Sequence, residues 1–240
     1  MTHQAPWQQP PSQNQTPTRI AARGLLKTYG TTHALAGVDL DVAPGEALAV
    51  MGTSGSGKST LLLTLAGIER PDAGQVDYNG SGGRNMDIAA LNEGERSKLR
   101  RAEFGFVFQE GLLIPELTAV ENVALPLMVA GSPRLSAETQ AAGWLAQLGL
   151  AGMETRRLNE LSGGQAQRVA IARAQVGGAR VVFADEPTGA LDSRTSSEVM
   201  DVLLTSTVGR GATLIVVTHD AQVAARCDRT VTMQDGRLVG

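Results

Sequence analysis

The sequence predicts an α/β fold: a mainly parallel sheet, an antiparallel β portion on its N-terminal side, and an inserted α-helical subdomain. Short apolar runs at residues 47–51, 104–108, 181–184 and 213–217, the second of them aromatic, read as strands. Helix-like segments separate them, and strands alternating with helices give a parallel sheet. From about residue 110 to 176 strand patterns vanish. Helical patterns follow one another there at 121–127, 137–148 and 164–176, which marks the insertion.

At 240 residues the chain is one domain, or one domain with a subdomain. Hydrophobic residues make up 42%, enough for a full core, and aromatics only 3%, so aliphatic packing must dominate it. The formal net charge of -3 leaves no electrostatic footprint for nucleic acid, and no such partner is expected. A single cysteine, Cys227, cannot form an internal disulfide and fits a reducing compartment. The longest apolar stretch, residues 123–130, contains Pro126 and is far shorter than the about 18 residues of a membrane span. The N-terminus lacks the basic start and apolar core of a signal peptide. A soluble, cytoplasmic chain is expected, with any membrane work done through a partner.

Residues 1–18 are Gln, Pro, Thr and Ser with almost no aliphatic side chains. Such a stretch cannot offset its ordering entropy and reads as a disordered tail, with Trp7 its one large apolar group. The ordered domain is expected over residues 19–240. Residues 20–26 and 38–42 read as strands, the second alternating Val38, Leu40, Val42. Pro44-Gly45-Glu46 turns into the 47–51 strand, and Pro71-Asp72-Ala73-Gly74 turns the chain back into residues 75–78. Residues 79–85 are Gly- and Ser-rich and read as a surface loop, followed by a charged amphipathic helix over 91–101. After the helical insertion the sheet resumes, and a hairpin closes the chain around Asp235-Gly236.

The chemistry begins at Gly52-Thr53-Ser54-Gly55-Ser56-Gly57-Lys58-Ser59-Thr60, between the 47–51 strand and a helix-like run at 61–66. A strand, a Gly-rich loop ending in Lys-Ser, and a helix together form a phosphate cradle. Glycines let successive N–H groups turn inward, the helix N-terminus adds partial positive charge, and Lys58 adds a full one. Ser59 can offer its hydroxyl to a magnesium ion bridging the phosphates. A plain Gly-Ser turn between strand and helix would use the same residues. The rest of the chain argues against that.

The 181–184 strand ends in Asp185-Glu186, where Asp185 suits a magnesium ion and Glu186 suits deprotonation of an attacking water. A solvated acidic turn is the alternative reading. Leu161-Ser162-Gly163-Gly164-Gln165 opens a helix carrying Arg168 and Arg173. It forms either a second anion site or an ordinary N-cap turn. Lys58, Gln109, Asp185 and His219 each follow a strand end. In a parallel sheet ligands bind beyond those ends, so the four are predicted to share one crevice.

The five residues from Leu161 to Gln165, unchanged, carry a resemblance to the ATP-binding subunits of ABC transporters, which have a P-loop NTPase core. The resemblance runs from Arg19 to the C-terminus. It implies ATP and Mg2+, with Ser59, Gln109 and Asp185 at the metal and Lys58, Gln109, Glu186 and His219 in catalysis. Tyr29 matches the aromatic that stacks on adenine, although a lone Tyr in a turn also serves packing. Gln109 matches the glutamine that touches magnesium and water and senses the membrane subunit, and His219 the histidine at the γ-phosphate. Gly189-Ala190-Leu191-Asp192 matches the loop that crosses to a partner copy. In this family two copies pair head to tail, so Ser162, Gly163, Gly164 and Gln165 of one cover ATP on the other.

Residues 105–109, 117–127 and 184–192 resemble the macrolide-export, lipoprotein-release and cell-division branch, whose ATPases serve separately encoded permeases. Ala166, Glu110-Gly111 and residues 81–85 depart from that pattern without touching the hydrolytic residues. The implied protein is an ATPase subunit on the inner face of the cell membrane. It would act with an integral-membrane permease and a second copy of itself, in export, lipid or lipoprotein extraction, or transmembrane force transmission. Soluble ABC-type ATPases of translation or DNA repair are the rival class, but they usually carry two halves or a long coiled-coil insertion. A regulatory module without turnover is a third, and the presence of Glu186 and His219 gives no reason to prefer it.

Overall fold

In the computed structural model residues 18–80, 83, 85–109 and 111–239 are described. The expectations for the tail, Trp7 and Glu110 lie outside them, Thr18 excepted. In chain order, β1 (Ile20–Tyr29) and β2 (Thr32–Val42) form a hairpin, and β3 (Ala47–Met51) leads through the Gly-rich loop into α1 (Lys58–Leu65). Next come β4 (Ala73–Asn79), β5 (Asn85–Asp87), α2 (Glu93–Glu103) and β6 (Phe104–Phe108). The helices α3 (Ala119–Val129), α4 (Arg134–Gln147) and α5 (Gly163–Gln175) follow in succession before β7 (Val181–Asp185). The chain ends with α6 (Ser193–Thr207), β8 (Thr213–Val217), the short α7 (Ala221–Ala224), β9 (Arg229–Gln234) and β10 (Arg237–Val239).

Two sheets result. One is antiparallel, in the order β2-β1-β4-β5. The other runs β10-β9-β3-β8-β7-β6, parallel except for the β9–β10 hairpin. The strand at residues 75–78 therefore joins the antiparallel sheet, beside β1. Three elements were not expected from the sequence. Residues 85–87 lengthen the antiparallel ladder as β5, pairing Asp77 with Asp87, at the end of the surface loop expected over 79–85. Residues 221–224 form the one-turn α7. Residues 193–207 form α6, started by the Asp192 side chain, which accepts from the N–H groups of Arg194 and Thr195.

The parallel strands β3, β7 and β8 are buried on both faces, which explains their unbroken aliphatic runs. Val182 and Ala184 of β7, with Leu214 and Val216 of β8, join a core built with α3, α4, α5 and α6. Val181 and Phe183, with Ile215 and Val217, face the other core, shared with α1 and the antiparallel sheet. Successive side chains of a strand point to opposite faces, so one sheet organises two cores.

Register decides where the site falls. Val50 pairs with Val217, Val217 with Asp185, and Asp185 with Phe108. The C-terminal ends of β3, β8, β7 and β6 are thus flush. Whatever follows each strand emerges along one edge.

Candidate active site

The loop after β3 brings backbone close to backbone at two glycines. A Cβ on Gly52 would lie 2.3 Å from Met233 O, and one on Gly57 would lie 2.1 Å from Ala34 O. Both also hold positive φ, +153° and +101°, so glycine is required twice over. Gly57 is the N-cap of α1 and offers no side chain to it, which leaves first-turn N–H groups to an outside acceptor. Lys58, only 7% exposed, donates from Nζ to Gly52 O at 2.9 Å and Thr53 O at 2.8 Å. Its charge is met by carbonyl dipoles of its own loop. Ser56 Oγ is buried without a hydrogen-bond partner among the described residues.

Across from this loop, Asp185 lies beside Ser59, whose hydroxyl favours its charged form. Burial raises its pKa above the ordinary aspartate range, against the opposite pull of Ser59; Glu186 adds to the rise and Lys58 opposes it. Glu186 follows at φ +46°, a left-handed position seldom taken by a residue with a side chain. Its N–H donates to Val217 O at 2.9 Å, which anchors the turn to β8. Its carboxylate lies 2.8 Å from His219 Nδ1 through Oε1 and accepts from Thr218 Oγ1 at 3.3 Å through Oε2.

Gln109 stands exposed at the end of β6, with its amide against Gly189, where a Cβ would lie 3.0 Å from Nε2. These groups enclose a crevice of about 670 Å³, lined by Thr32, Ala34, Thr53, Ser54, Gly55, Gly57, Lys58, Ser59, Thr60, Gln109, Glu186 and His219. Lys58, Gln109 and His219 thus share one crevice; Asp185 is not among its lining residues and stands next to two that are, Ser59 and Glu186.

Three expected site elements lie apart from that lining. Tyr29 ends β1 beside it, half exposed under Lys27 Nζ at 5.4 Å. Burial, more than the Glu69 charge, raises its phenol pKa. Asp192 is used as the cap of α6, and the Thr195 hydroxyl, at 2.6 Å, is the main cause of its lowered pKa. Ser162 and Gln165 form a capping box at the start of α5: Gln165 N donates to Ser162 Oγ at 3.3 Å, and Ser162 N donates to Gln165 Oε1 at 2.9 Å. Gly164 is packed on α6, where a Cβ would lie 2.5 Å from Thr195 Cγ2. The sequence reading did not single out Thr32 and Ala34. Only their place in the β1–β2 hairpin beside Tyr29 could have signalled them.

A family model described as "ABC transporter" matches residues 35–189. The macrolide export ATP-binding/permease protein MacB of Nitrobacter winogradskyi is 45% identical over 228 residues, covering 93% of this chain and 34% of that protein. The pyoverdine export ATP-binding/permease protein PvdT of Pseudomonas fluorescens is 44% identical over 230 residues, covering 94% and 34%. The chain thus spans about a third of the length of these curated relatives. Among solved structures, a dimeric post-hydrolysis state of the ATP-binding cassette MJ0796, bound to ADP and Pi, is similar with a TM-score of 0.82 and 37% identity, covering 92% of this chain and 97% of that one. The cbiO1 protein of Clostridium perfringens, part of an ABC transporter complex, is similar with a TM-score of 0.81 and 29% identity, covering 93% and 88%. The family match includes the phosphate loop, Gln109, Ser162–Gln165 and Asp185–Glu186, and the chain belongs to the ABC transporter family, with the fold of an ATP-binding cassette.

Proposed function

We propose that the chain is the ATP-hydrolysing subunit of an ABC exporter and powers a membrane permease through ATP-driven pairing of two copies. The observation that carries this reading is the meeting of Lys58, Ser59, Gln109, Glu186 and His219 around one crevice, with Asp185 beside Ser59. The bare first turn of α1 and Lys58 bind the β- and γ-phosphates. Glu186 accepts a proton from the attacking water, and His219, 2.8 Å away, orients the carboxylate and faces the γ-phosphate. Tyr29 takes the adenine from the side of the hairpin.

The donor set fits magnesium. Among the described residues no group of three or more His, Cys, Asp or Glu could hold a metal alone. Magnesium commonly takes one or two carboxylates and completes its shell with phosphates and water, and Ser59, Asp185 and Gln109 suit that division. Bound there, it would neutralise charge developing on the phosphates. Asp185, half-buried and raised in pKa, gains a cation by that binding.

Ser162, Gly163, Gly164 and Gln165 are absent from the crevice lining of their own chain, and they serve as the lid of a second copy. Asp192 belongs to the loop that meets that copy. Among the described residues no helix is long and apolar enough to cross a membrane, so the transport path belongs to the permease. We place the permease on a separate polypeptide and the ATPase on the cytoplasmic face of the membrane. A permease continuous with this chain would overturn that separateness and leave the ATPase reading intact. The export names of the relatives favour transport over translation or DNA repair.

The test of the site is Lys58→Ala. Removing the main cationic partner of the γ-phosphate lowers ATP turnover by at least about a hundredfold. A variant that turns over ATP at the wild-type rate contradicts the assignment.

A further inference from the structure

The stretch between β6 and α3 carries Gln109 into the crevice but forms no helix or strand over residues 111–117, so its backbone groups need partners elsewhere. Side chains of the flanking helices supply them. Gln167 of α5, 3% exposed, donates from Nε2 to Phe108 O at 3.0 Å. Arg173, further along α5, donates from Nη1 to Leu112 O at 2.7 Å and from Nη2 to Gly111 O at 2.6 Å. Asn122 of α3 secures the far end through both the N–H and the C=O of Ile114.

The grip of Arg173 is unusual in two ways. It forms no ion pair among the described residues, and burial lowers its pKa, so its charge is met by carbonyl dipoles. Its two targets are consecutive left-handed residues, Gly111 at φ +68° and Leu112 at φ +45°. A leucine rarely takes that conformation, and such outliers persist only where the surroundings over-determine them. The guanidinium fork matches two carbonyls at once, whereas an ammonium is a single point charge. The same helix α5 begins at the Ser162 capping box and grips the Gln109 loop from its side.

We propose that Arg173, with Gln167, is a positioning residue for ATP hydrolysis. Through the carbonyls of Phe108, Gly111 and Leu112 it sets where Gln109 stands in the crevice and ties that position to helix α5. The inference rests on the ATPase reading above. Misplacing a reacting or ligating group by about 1 Å can cost about a hundredfold in rate, so loosening one anchor of this loop matters to turnover.

The test is a double-variant cycle on the full chain, with ATP turnover measured across Mg2+ concentration. Arg173→Lys is expected to lower kcat about tenfold, keep KM for ATP within about threefold, and raise the Mg2+ needed for half-maximal turnover. Combined with Gln109→Ala, it adds no further loss beyond Gln109→Ala alone, because it acts through Gln109. Fully multiplicative losses, or an unchanged Mg2+ dependence, overturn the inference. Gln167→Met goes through the same cycle and decides the matter if Arg173→Lys does not fold. A wild-type chain without turnover, or turnover that survives Lys58→Ala, overturns the ATPase reading and the inference with it. An active wild type with multiplicative losses overturns the inference alone.

Discussion

Asp185 holds a half-buried carboxylate at the end of β7, and burial raises its pKa although Ser59 and Lys58 pull it down. The folded chain therefore binds that proton more tightly than the unfolded chain. Stability falls as pH rises from the ordinary aspartate range through the raised pKa. Asp185→Asn is expected to raise Tm at pH 7.5, with the gain shrinking toward pH 4, while Mg2+-dependent turnover falls at least about a hundredfold. Thermal unfolding at the two pH values checks it, and a lower Tm at pH 7.5 contradicts the account. Glu186 adds backbone strain, since a left-handed residue with a side chain costs about 1–2 kcal/mol. That Lys58, Gln109, Asp185, Glu186 and His219 come out along one edge was legible because each lies beyond an apolar strand. The Glu186–His219 contact and the φ of Glu186 were not, since they depend on how the turn after β7 meets β8.

At the scale of elements, α5 is packed against β6 so closely that a Cβ on Gly105 would lie 2.4 Å from Ala174 O. Gly177, just past the end of α5, would meet nothing within 4 Å. Gly105→Ala should therefore destabilise the chain by about 2–3 kcal/mol, and Gly177→Ala should change stability by at most about 0.5 kcal/mol. Urea unfolding distinguishes them, and equal effects would refute the close approach. Parallel strands were legible because burial on both faces leaves an unbroken aliphatic run. The helix α6 was not, because its first turn is Ser- and Thr-rich and it owes its place to Val199, Met200 and Leu203 packed in the core. The strand β5 escaped notice because its three residues end a Gly- and Ser-rich stretch and gain order from pairing with β4. The α5 clasp on the loop after β6 was equally hidden, since the sequence placed Arg173 on the helix of a possible second anion site and gave no signal at Gln167.

At the scale of the whole molecule, the flush strand ends explain why residues from four parts of the chain share one crevice. The antiparallel sheet adds the Thr32 and Ala34 side of that crevice, and the helices place the Ser162 turn outside its lining. In the proposed head-to-tail pair the open side of this site meets the Ser162 turn of the second copy, which its own chain uses to cap α5. Such a pair would complete two sites at once and make ATP part of the interface. The measurement that tests this most directly is the mass of Glu186→Gln in solution, by gel filtration with light scattering at saturating ATP and Mg2+. The account predicts a variant that binds ATP, turns it over at a rate lower by at least about a hundredfold, and accumulates as a dimer that reverts to monomer without nucleotide. A variant that remains monomeric while saturated with ATP would contradict the account.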